Sequence, residues 1–203
     1  MRFDLEIIAS WIPPAAKVID LGCGSGELLG FLRDNKGATC TGIDLSEDNI
    51  QHCISKGISV IHGDINEEVA DYADQAFDYV ILSQTLQQVY EPEALLNTLL
   101  RIGRHVVVSF PNFSHWRCRW QLFWQGKAPT TSQLPYSWYN SPNIRVITIK
   151  DFRQFARRAG FSILKEVAIN TDNQERTGSI IKILPTIRAT YGIFLIGGTA
   201  QHQ

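Results

Sequence analysis

The sequence predicts an α/β protein built on a doubly wound, seven-stranded and mostly parallel sheet. Short apolar runs alternate with amphipathic helical segments along most of the chain, which is typical of a parallel sheet covered on both faces. The last two apolar runs have no helix between them, which indicates an antiparallel pair closing the sheet. At 203 residues, with 44% hydrophobic and 19% charged residues, the chain suffices for one well-packed domain, which we assign to residues 1–203.

The elements are predicted in a regular order. An amphipathic helix over residues 1–12 ends at two prolines, and its acidic residues make it a docked helix rather than a signal peptide. Strands are predicted at 18–20, 39–45, 58–62, 77–82, 105–110, 161–169 and 190–196, and further helices at 27–35, 47–55, 92–102 and 151–159. The pattern of residues 170–189 favours no element.

The chain is organised around a glycine-rich turn after the first strand. Asp20 ends that strand, and Gly22, Gly24 and Gly26 follow at alternate positions. Glycine allows backbone angles closed to other residues and lets a ligand approach the main chain. Dinucleotide sites use Gly-x-Gly-x-x-Gly to hold a pyrophosphate, which the Asp20 carboxylate would repel. The observed spacing favours the cationic S-adenosylmethionine, or its product S-adenosylhomocysteine, and a purely structural turn is the alternative.

Acidic residues at later strand ends extend this predicted cofactor site. Asp44, 18 residues beyond the last glycine of the turn, is placed to accept hydrogen bonds from both ribose hydroxyls, or else to cap the next helix. Asp64 can accept the adenine amino group while Ile65 packs on the ring, although an ordinary turn aspartate is equally consistent. The predicted cofactor-binding residues are Asp20, Gly22, Gly24, Gly26, Asp44, Leu45, Asp64, Ile65 and Ser83.

Residues 112–150 interrupt the alternation after the fifth strand. Trp116, Trp120, Phe123 and Trp124 recur at the spacing of one helix face, and three further aromatic residues lie between 134 and 140. No Asp or Glu occurs from 94 to 150. Aromatic and basic residues together can bind single-stranded nucleic acid, but no known nucleic-acid module is present and the net charge is −1. We expect this insertion to be a lid or docking face at the active-site edge.

Several classes of protein are excluded. The apolar stretch 180–198 is broken by Lys182, Pro185 and Arg188, so no membrane span is predicted. The four cysteines form no Cys-x-x-Cys pair, and we expect free thiols in the cytoplasm. Cysteines and histidines show no ligand spacing, so no metal is expected.

The net charge of −1 hides an uneven distribution. Residues 1–93 carry 16 acidic against 5 basic side chains, whereas residues 94–203 carry 4 against 14. The two halves either interleave so that their charges cancel, or separate an acidic cofactor half from a basic face for a substrate or partner.

The pattern resembles the class I S-adenosylmethionine-dependent methyltransferase fold, which is Rossmann-like. A narrower resemblance, to the methionine-biosynthesis family MetW, rests on residues 11–13, 21–24, 110–120 and 134–143. It implies a role in bacterial methionine synthesis beside a homoserine O-acyltransferase. Two residues depart from the family pattern: Ser25 replaces an Asp, which removes a charge, and Asp44 replaces a Glu, which shortens the reach of the carboxylate.

Two functional hypotheses follow. Methyl transfer requires a general base only when the acceptor is still protonated. Residues 83–89 follow the fourth strand, where this fold often binds the acceptor, and their only candidate groups are neutral glutamines. His115 and Tyr139 are candidates from the insertion, but no catalytic residue is assigned. The chain is therefore either a cofactor-binding partner or regulator of the acyltransferase, or an active methyltransferase with a small-molecule methyl acceptor. The glycine spacing and Asp20 disfavour a dehydrogenase.

Overall fold

Eight strands form one mixed sheet with helices on both faces in the computed structural model, which describes residues 1–172 and 175–198. The strands are Lys17–Leu21 (β1), Thr39–Asp44 (β2), Ser59–His62 (β3), Phe77–Ser83 (β4), Gly103–Pro111 (β5), Ser162–Asn170 (β6), Ser179–Ile180 (β7) and Tyr191–Gly197 (β8). The helices are Phe3–Trp11 (α1), Glu27–Lys36 (α2), Glu47–Ser55 (α3), Ile65–Glu68 (α4), Pro92–Ile102 (α5), Trp116–Gln125 (α6), Ile149–Arg158 (α7) and Pro185–Arg188 (α8).

The strand order across the sheet is β3-β2-β1-β4-β5-β8-β6-β7. Strands β1 to β5 are parallel, and β8 lies antiparallel between β5 and β6. The order reverses between β1 and β4, and open sheets of this kind bind ligands at the carboxyl ends of the strands beside such a point. The predicted doubly wound, mostly parallel α/β fold is confirmed.

The core lies in two layers, one on each face of the sheet. Neighbouring side chains on a strand point to opposite faces, so Val18 packs in one layer and Ile19 in the other. In β5, Val107 packs with Val18, whereas Val106 and Val108 pack with Ile19. A strand that is apolar on both faces must be packed against other elements on both faces of the sheet. This explains why helices alternate with the strands along the chain.

The shortest elements fall where the sequence pattern gave least information. The sheet has eight strands, one more than predicted, and the additional strand is β7, which has only two residues. Helices α4 and α8 each span a single turn, as does a 3₁₀ helix at Leu86–Gln88. Elements this short do not repeat a periodic pattern, so hydrophobic periodicity cannot identify them.

The insertion between β5 and α7 contains α6. The aromatic residues predicted to share one helix face do not pack into the domain. Phe123 is 78% exposed and Trp124 66%, whereas Cys118 is the buried residue of this helix. The insertion is held at its base, where Phe113 N–H donates to the Ile147 carbonyl at 3.1 Å. The helix is therefore fixed to the domain while its aromatic side chains face solvent.

Candidate cofactor site

The glycine-rich turn takes left-handed backbone conformations, with φ of +76° at Gly22, +55° at Gly24 and +72° at Gly26. A Cβ at Gly22 would lie 2.7 Å from Thr85 Oγ1, and one at Gly26 would lie 2.6 Å from Ile58 Cδ1. A Cβ at Gly24 would meet no protein atom within 4 Å. Gly22 and Gly26 therefore permit close packing, whereas Gly24 borders open space.

Two adjoining cavities meet at this turn, with volumes of about 410 Å³ and about 130 Å³. Gly22, Gly24 and Ser83 line both. Together the cavities fall within the range of roughly 300–1,000 Å³ common for small-molecule sites. Other predicted residues lining the larger cavity are Asp44, Leu45, Asp64 and Ile65, and Asp20 lines the smaller. Gly26 lines neither, because it packs beneath the turn against α3 and β3.

The Asp20 side chain is the most unusual group of the site. It is 4% exposed, and its Oδ1 has no hydrogen-bond partner among the described residues. Burial raises the pKa of Asp20 from 3.8 to about 7; the charge of Arg2 opposes this rise and that of Asp44 adds to it. A buried carboxylate is costly without a partner, so the residue fits a ligand that brings a positive group to this oxygen.

Asp44 organises the turn as well as lining the cavity. Its Oδ2 accepts the Gly24 N–H at 2.8 Å, and its Oδ1 accepts the Ser46 N–H at 2.9 Å and Asn49 Nδ2–H at 3.0 Å. Since a carboxylate offers about four acceptor positions, one is left for a ligand. Contact with both ribose hydroxyls remains a prediction, and it requires the Asn49 side chain to give up its bond.

The adenine end of the predicted site lies beyond β3. Asp64 lines the larger cavity and caps α4, with Oδ1 accepting the Asn66 N–H at 2.7 Å and Asn66 Nδ2–H at 2.8 Å. Leu45 is 66% exposed at the cavity, an unusual position for a large apolar side chain. Leu45 and Ile65 together provide apolar contacts suited to a flat ring.

Gln84 lines both cavities and was not predicted as a site residue. Its φ of +56° is a left-handed conformation that costs a non-glycine residue about 1 kcal/mol or more. Four bonds hold it. Its N–H donates to the Ser109 carbonyl at 2.8 Å and to Ser109 Oγ at 3.2 Å, its Nε2–H donates to Asp4 Oδ2 at 2.8 Å, and its carbonyl accepts Gln87 Nε2–H at 2.7 Å. Arg2 and Leu5 of α1 also line the smaller cavity. No sequence motif marks any of these residues.

The sequence model of the methionine biosynthesis protein MetW matches residues 2–196. The chain belongs to the MetW family. A bifunctional methionine biosynthesis protein MetXA/MetW of Rhodopirellula baltica is 36% identical over 185 residues, which cover 87% of this chain and 30% of that protein. A ubiquinone biosynthesis O-methyltransferase of Cupriavidus pinatubonensis is 29% identical over 157 residues, 73% of this chain and 61% of that enzyme. The chain thus spans less than two thirds of the length of either relative.

Solved structures support the fold of this MetW-family chain. A SAM-dependent methyltransferase of Archaeoglobus fulgidus superposes with a TM-score of 0.70 at 15% identity, over 95% of this chain and 90% of that one. An S-adenosylmethionine-dependent methyltransferase of Mesorhizobium loti gives 0.65 at 18% identity, over 94% and 95%. The predicted class I methyltransferase fold is therefore confirmed, as is the MetW resemblance.

The thiols of this MetW-family chain are not activated as nucleophiles, and His115 is a weaker base than a free imidazole. Burial raises the pKa of each of the four thiols, to about 11 at Cys40, so all stay protonated at neutral pH. Burial, and then the charge of Arg117, lower the pKa of His115, whose Nδ1 accepts the Arg117 N–H at 3.4 Å. Tyr139 is 73% exposed. No metal-binding group of three or more side chains occurs within 1–172 and 175–198.

A further polar cavity of about 300 Å³ lies between the start of α6, the carboxyl end of β6 and the residues that lead to β7. His115, Arg117 and Asp172 line it. Phe3, at the start of α1, contacts this region through its N–H, which donates to the Glu175 carbonyl at 3.0 Å. None of the helices in the described part of the chain is long and apolar enough to cross a membrane.

Proposed function

We propose that this protein binds S-adenosylmethionine or S-adenosylhomocysteine at the carboxyl edge of its sheet and acts with a homoserine O-acyltransferase in cytoplasmic methionine synthesis. The observation that carries the cofactor assignment is Asp20, a buried carboxylate beside an open glycine turn with one oxygen that no group in residues 1–172 or 175–198 bonds. The ammonium group common to both ligands supplies the missing charge partner. S-adenosylmethionine, when bound, brings an electrophilic methyl group.

The remaining site residues have separate roles in this proposal. Asp20 faces the amino-acid end of the ligand, Gly24 lets the ligand approach the main chain, and Asp44 holds the ribose. Leu45 and Ile65 pack on the adenine ring, and Asp64 orients it. The division follows the two cavities, because Asp20 lines the smaller and the other four side chains line the larger.

The partner assignment is supported by the Rhodopirellula baltica relative, which is named as a bifunctional MetXA/MetW protein. The chain matches 30% of that relative, so the relative has room for a separate unit in the same polypeptide. If the MetW unit of that relative works beside another unit of methionine synthesis, a MetW chain that is not fused to such a unit requires a surface through which to bind it.

The surface we assign to this association is the aromatic face, defined as the exposed side chains of Trp116, Trp120, Phe123, Trp124, Trp138 and Tyr139. Exposed aromatic clusters mark association sites because monomeric surfaces rarely carry large apolar patches. No acidic residue occurs between 94 and 150, so a partner surface with an acidic rim around an apolar centre is the best match. The face therefore serves as a docking surface rather than a lid.

The insertion is also connected to the cofactor cavities. The Gln87 carbonyl accepts both the Ile144 and the Arg145 N–H at 3.0 Å, and the Arg145 guanidinium donates to the carbonyls of Val89 and Tyr90. Gln87 in turn donates to the carbonyl of Gln84. Two glutamines thus link the cavity wall to the insertion, which supports an association that depends on the cofactor.

Calorimetric titration of the purified chain tests the cofactor assignment. We expect S-adenosylmethionine and S-adenosylhomocysteine to bind with micromolar affinity, about −8 kcal/mol, and NADH not to bind. Asp44→Ala is a poor probe, because it also frees one donor of the turn and two at the start of α3. Absence of heat with both adenosyl ligands would contradict the proposal, and NADH binding would favour a dehydrogenase.

Substitutions on the aromatic face test the docking surface. Phe123→Ser/Trp124→Ser should weaken binding to the acyltransferase by tenfold or more, since exposed aromatic residues often dominate interfaces. The melting temperature should change little because both side chains are exposed. Ile54→Ser is the matched control, as Ile54 is 63% exposed on α3. Equal affinity of the double variant and the unsubstituted chain, measured by biolayer interferometry, would remove this face from the proposal.

Active methyl transfer is the second candidate function, and the polar cavity lined by His115 and Arg117 is the observation that favours it. The cavity adjoins α1, which also borders the smaller cofactor cavity. It could receive a small polar acceptor. Incubation with S-adenosylmethionine carrying a labelled methyl group in cell extract separates the two functions, because repeated turnover into a small molecule favours the enzyme.

A further inference from the structure

The polar cavity of about 300 Å³ has charged side chains of both signs in its wall. Arg117 comes from the first turn of α6, whereas Asp172 and Glu175 belong to the segment that follows β6. Arg117 makes no ion pair with a carboxylate in residues 1–172 or 175–198, yet its charge acts on Asp172. One base and two acids therefore border the same space, and the base is not paired directly with either acid.

Neighbouring side chains hold two of these charged groups in position. The Arg117 guanidinium carbon lies over the Trp116 ring, 5.5 Å from its centre. Asp172 Oδ1 accepts Ser132 Oγ–H at 2.7 Å and Gln133 Nε2–H at 3.1 Å. The guanidinium nitrogens and Asp172 Oδ2 form no hydrogen bond within the part of the chain that the structure describes. Both groups can therefore receive a ligand without losing the contacts that position them.

His115 adds a buried polar group to the same wall. It lines the cavity and is 4% exposed. Its Nδ1 accepts the Arg117 N–H at 3.4 Å, so the neutral ring carries its proton on Nε2. Nε2 bonds to no group in the two described ranges, although polar groups buried to this extent usually have a partner. A ligand oxygen in the cavity would supply one, since Nε2–H is a donor beside the Arg117 guanidinium.

The polar cavity is a neighbour of the smaller cofactor cavity. The Tyr191 hydroxyl is buried and has no hydrogen-bond partner among the residues described. Burial raises the pKa of Tyr191; the charge of Asp4 adds to this rise, that of Arg2 opposes it and that of Asp172 adds to it. Arg2 lines the smaller cofactor cavity and Asp172 lines the polar cavity. The walls of both cavities thus approach the same hydroxyl.

We propose that the polar cavity binds a free α-amino acid, with its carboxylate between Arg117 and His115 and its ammonium group between Asp172 and Glu175. A molecule with one charge would leave either the base or the acids without a partner, so a zwitterion matches this wall better. The volume of the cavity is at the lower end of the range for small-molecule sites, roughly 300 Å³ upwards. The inference rests on the second candidate function and deepens it, because it names the chemical class of the acceptor.

Calorimetric titration with L-homoserine and L-methionine, the amino acids of the proposed pathway role, tests this inference without an adenosyl ligand. We expect at least one of them to bind with a Kd below about 1 mM. Analogues of that amino acid without the ammonium or the carboxylate group should bind at least about tenfold more weakly. For L-homoserine these are 4-hydroxybutyrate and 3-amino-1-propanol. Lack of binding by both amino acids would overturn the inference.

Substitutions in the wall locate the amino acid. Arg117→Gln and Asp172→Asn should each lower its affinity about tenfold or more, and the asparagine keeps the oxygen that Ser132 and Gln133 bond. Arg157→Gln is the matched control, because Arg157 is an exposed arginine of α7 that does not line the cavity. Melting temperatures check the folding of each variant. Unchanged affinity in both cavity variants would refute the inference.

A titration in saturating S-adenosylhomocysteine separates the polar cavity from the cofactor cavities. The amino acid should still bind, because the two ligands occupy different sites. Loss of its binding under these conditions would place it in the cofactor site and overturn the inference. If S-adenosylhomocysteine itself does not bind, the proposed cofactor function fails alone. The amino-acid site then stands on the effects of Arg117→Gln and Asp172→Asn.

Discussion

Asp20→Asn should stabilise the ligand-free protein above pH 7 while abolishing its affinity for S-adenosylhomocysteine. Burial raises the pKa of Asp20 to about 7, so between pH 3.8 and 7 the folded chain keeps a proton that the unfolded chain has released. The stability contributed by this residue therefore falls as the pH rises through that window. The full rise of the Asp20 pKa corresponds to a loss of about 4 kcal/mol in the free energy of unfolding. We expect Asp20→Asn to raise the free energy of unfolding by about 2 kcal/mol at pH 8.5. The gain is smaller than the full loss because the buried amide is itself left without a hydrogen-bond partner.

Urea unfolding of both proteins at pH 5 and pH 8.5 measures this effect, and the exposed Asp34→Asn is the control for a change of charge alone. A gain in stability at pH 8.5 and little change at pH 5 is the expected result. If Asp20→Asn were equally destabilising at both values, the carboxylate would have a partner in the folded chain.

Ligand binding by the unsubstituted chain should depend on the same titration. An ammonium group binds the ionised carboxylate, so affinity for S-adenosylhomocysteine should fall about tenfold from pH 8 to pH 6. At pH 6 the free protein holds a proton on Asp20, and binding of the ligand should release it. Titration calorimetry in buffers of different ionisation enthalpy detects that proton. Retention of the affinity and its pH dependence in Asp20→Asn would assign both to another group.

Gly24→Ala should remove ligand binding at little cost in stability. The added Cβ meets no protein atom within 4 Å, so the cost is that of placing alanine at a φ of +55°, about 1 kcal/mol. Gly24 lines both cavities, so the same methyl group occupies space that the ligand needs. We expect at least a hundredfold loss of affinity for S-adenosylhomocysteine in a calorimetric titration.

The chain contains a matched control for this substitution. Gly37 follows α2 with a φ of +61°, and a Cβ there would also meet nothing within 4 Å, yet Gly37 lines neither cavity. Gly37→Ala should lower the melting temperature as much as Gly24→Ala and leave affinity unchanged. Similar affinities in the two variants would exclude close approach of a ligand to the turn.

The sheet was predictable because its signals are local. Each strand is apolar along a few consecutive residues, and a turn such as that at Gly22, Gly24 and Gly26 needs glycine whatever lies elsewhere in the chain. The candidate site was predicted in part for the same reason, since Asp20 and Asp44 lie at the carboxyl ends of strands and Asp64 lies two residues beyond one. Their place at one edge of the sheet then follows from parallel pairing.

The contributions of distant segments could not be predicted. Arg2 lines the smaller cavity because α1 folds over the end of β1, and Gln84 is held by Asp4, 80 positions earlier in the chain. Neither contact leaves a periodic or motif-like trace. The aromatic stripe of α6 shows another limit: spacing predicts that residues share a face, but whether that face is covered depends on what packs against it.

The position of α1 has a consequence for protein synthesis. The amino-terminal segment emerges from the ribosome first, but its anchors, Gln84 and Glu175, are made much later. Until residue 175 has been translated, the wall that contains Arg2 and Leu5 lacks two of the contacts that hold it, although Lys36 already donates to the Ala9 and Ile12 carbonyls. We therefore expect a chain truncated before residue 175 to close the smaller cavity less completely than the chain of 203 residues.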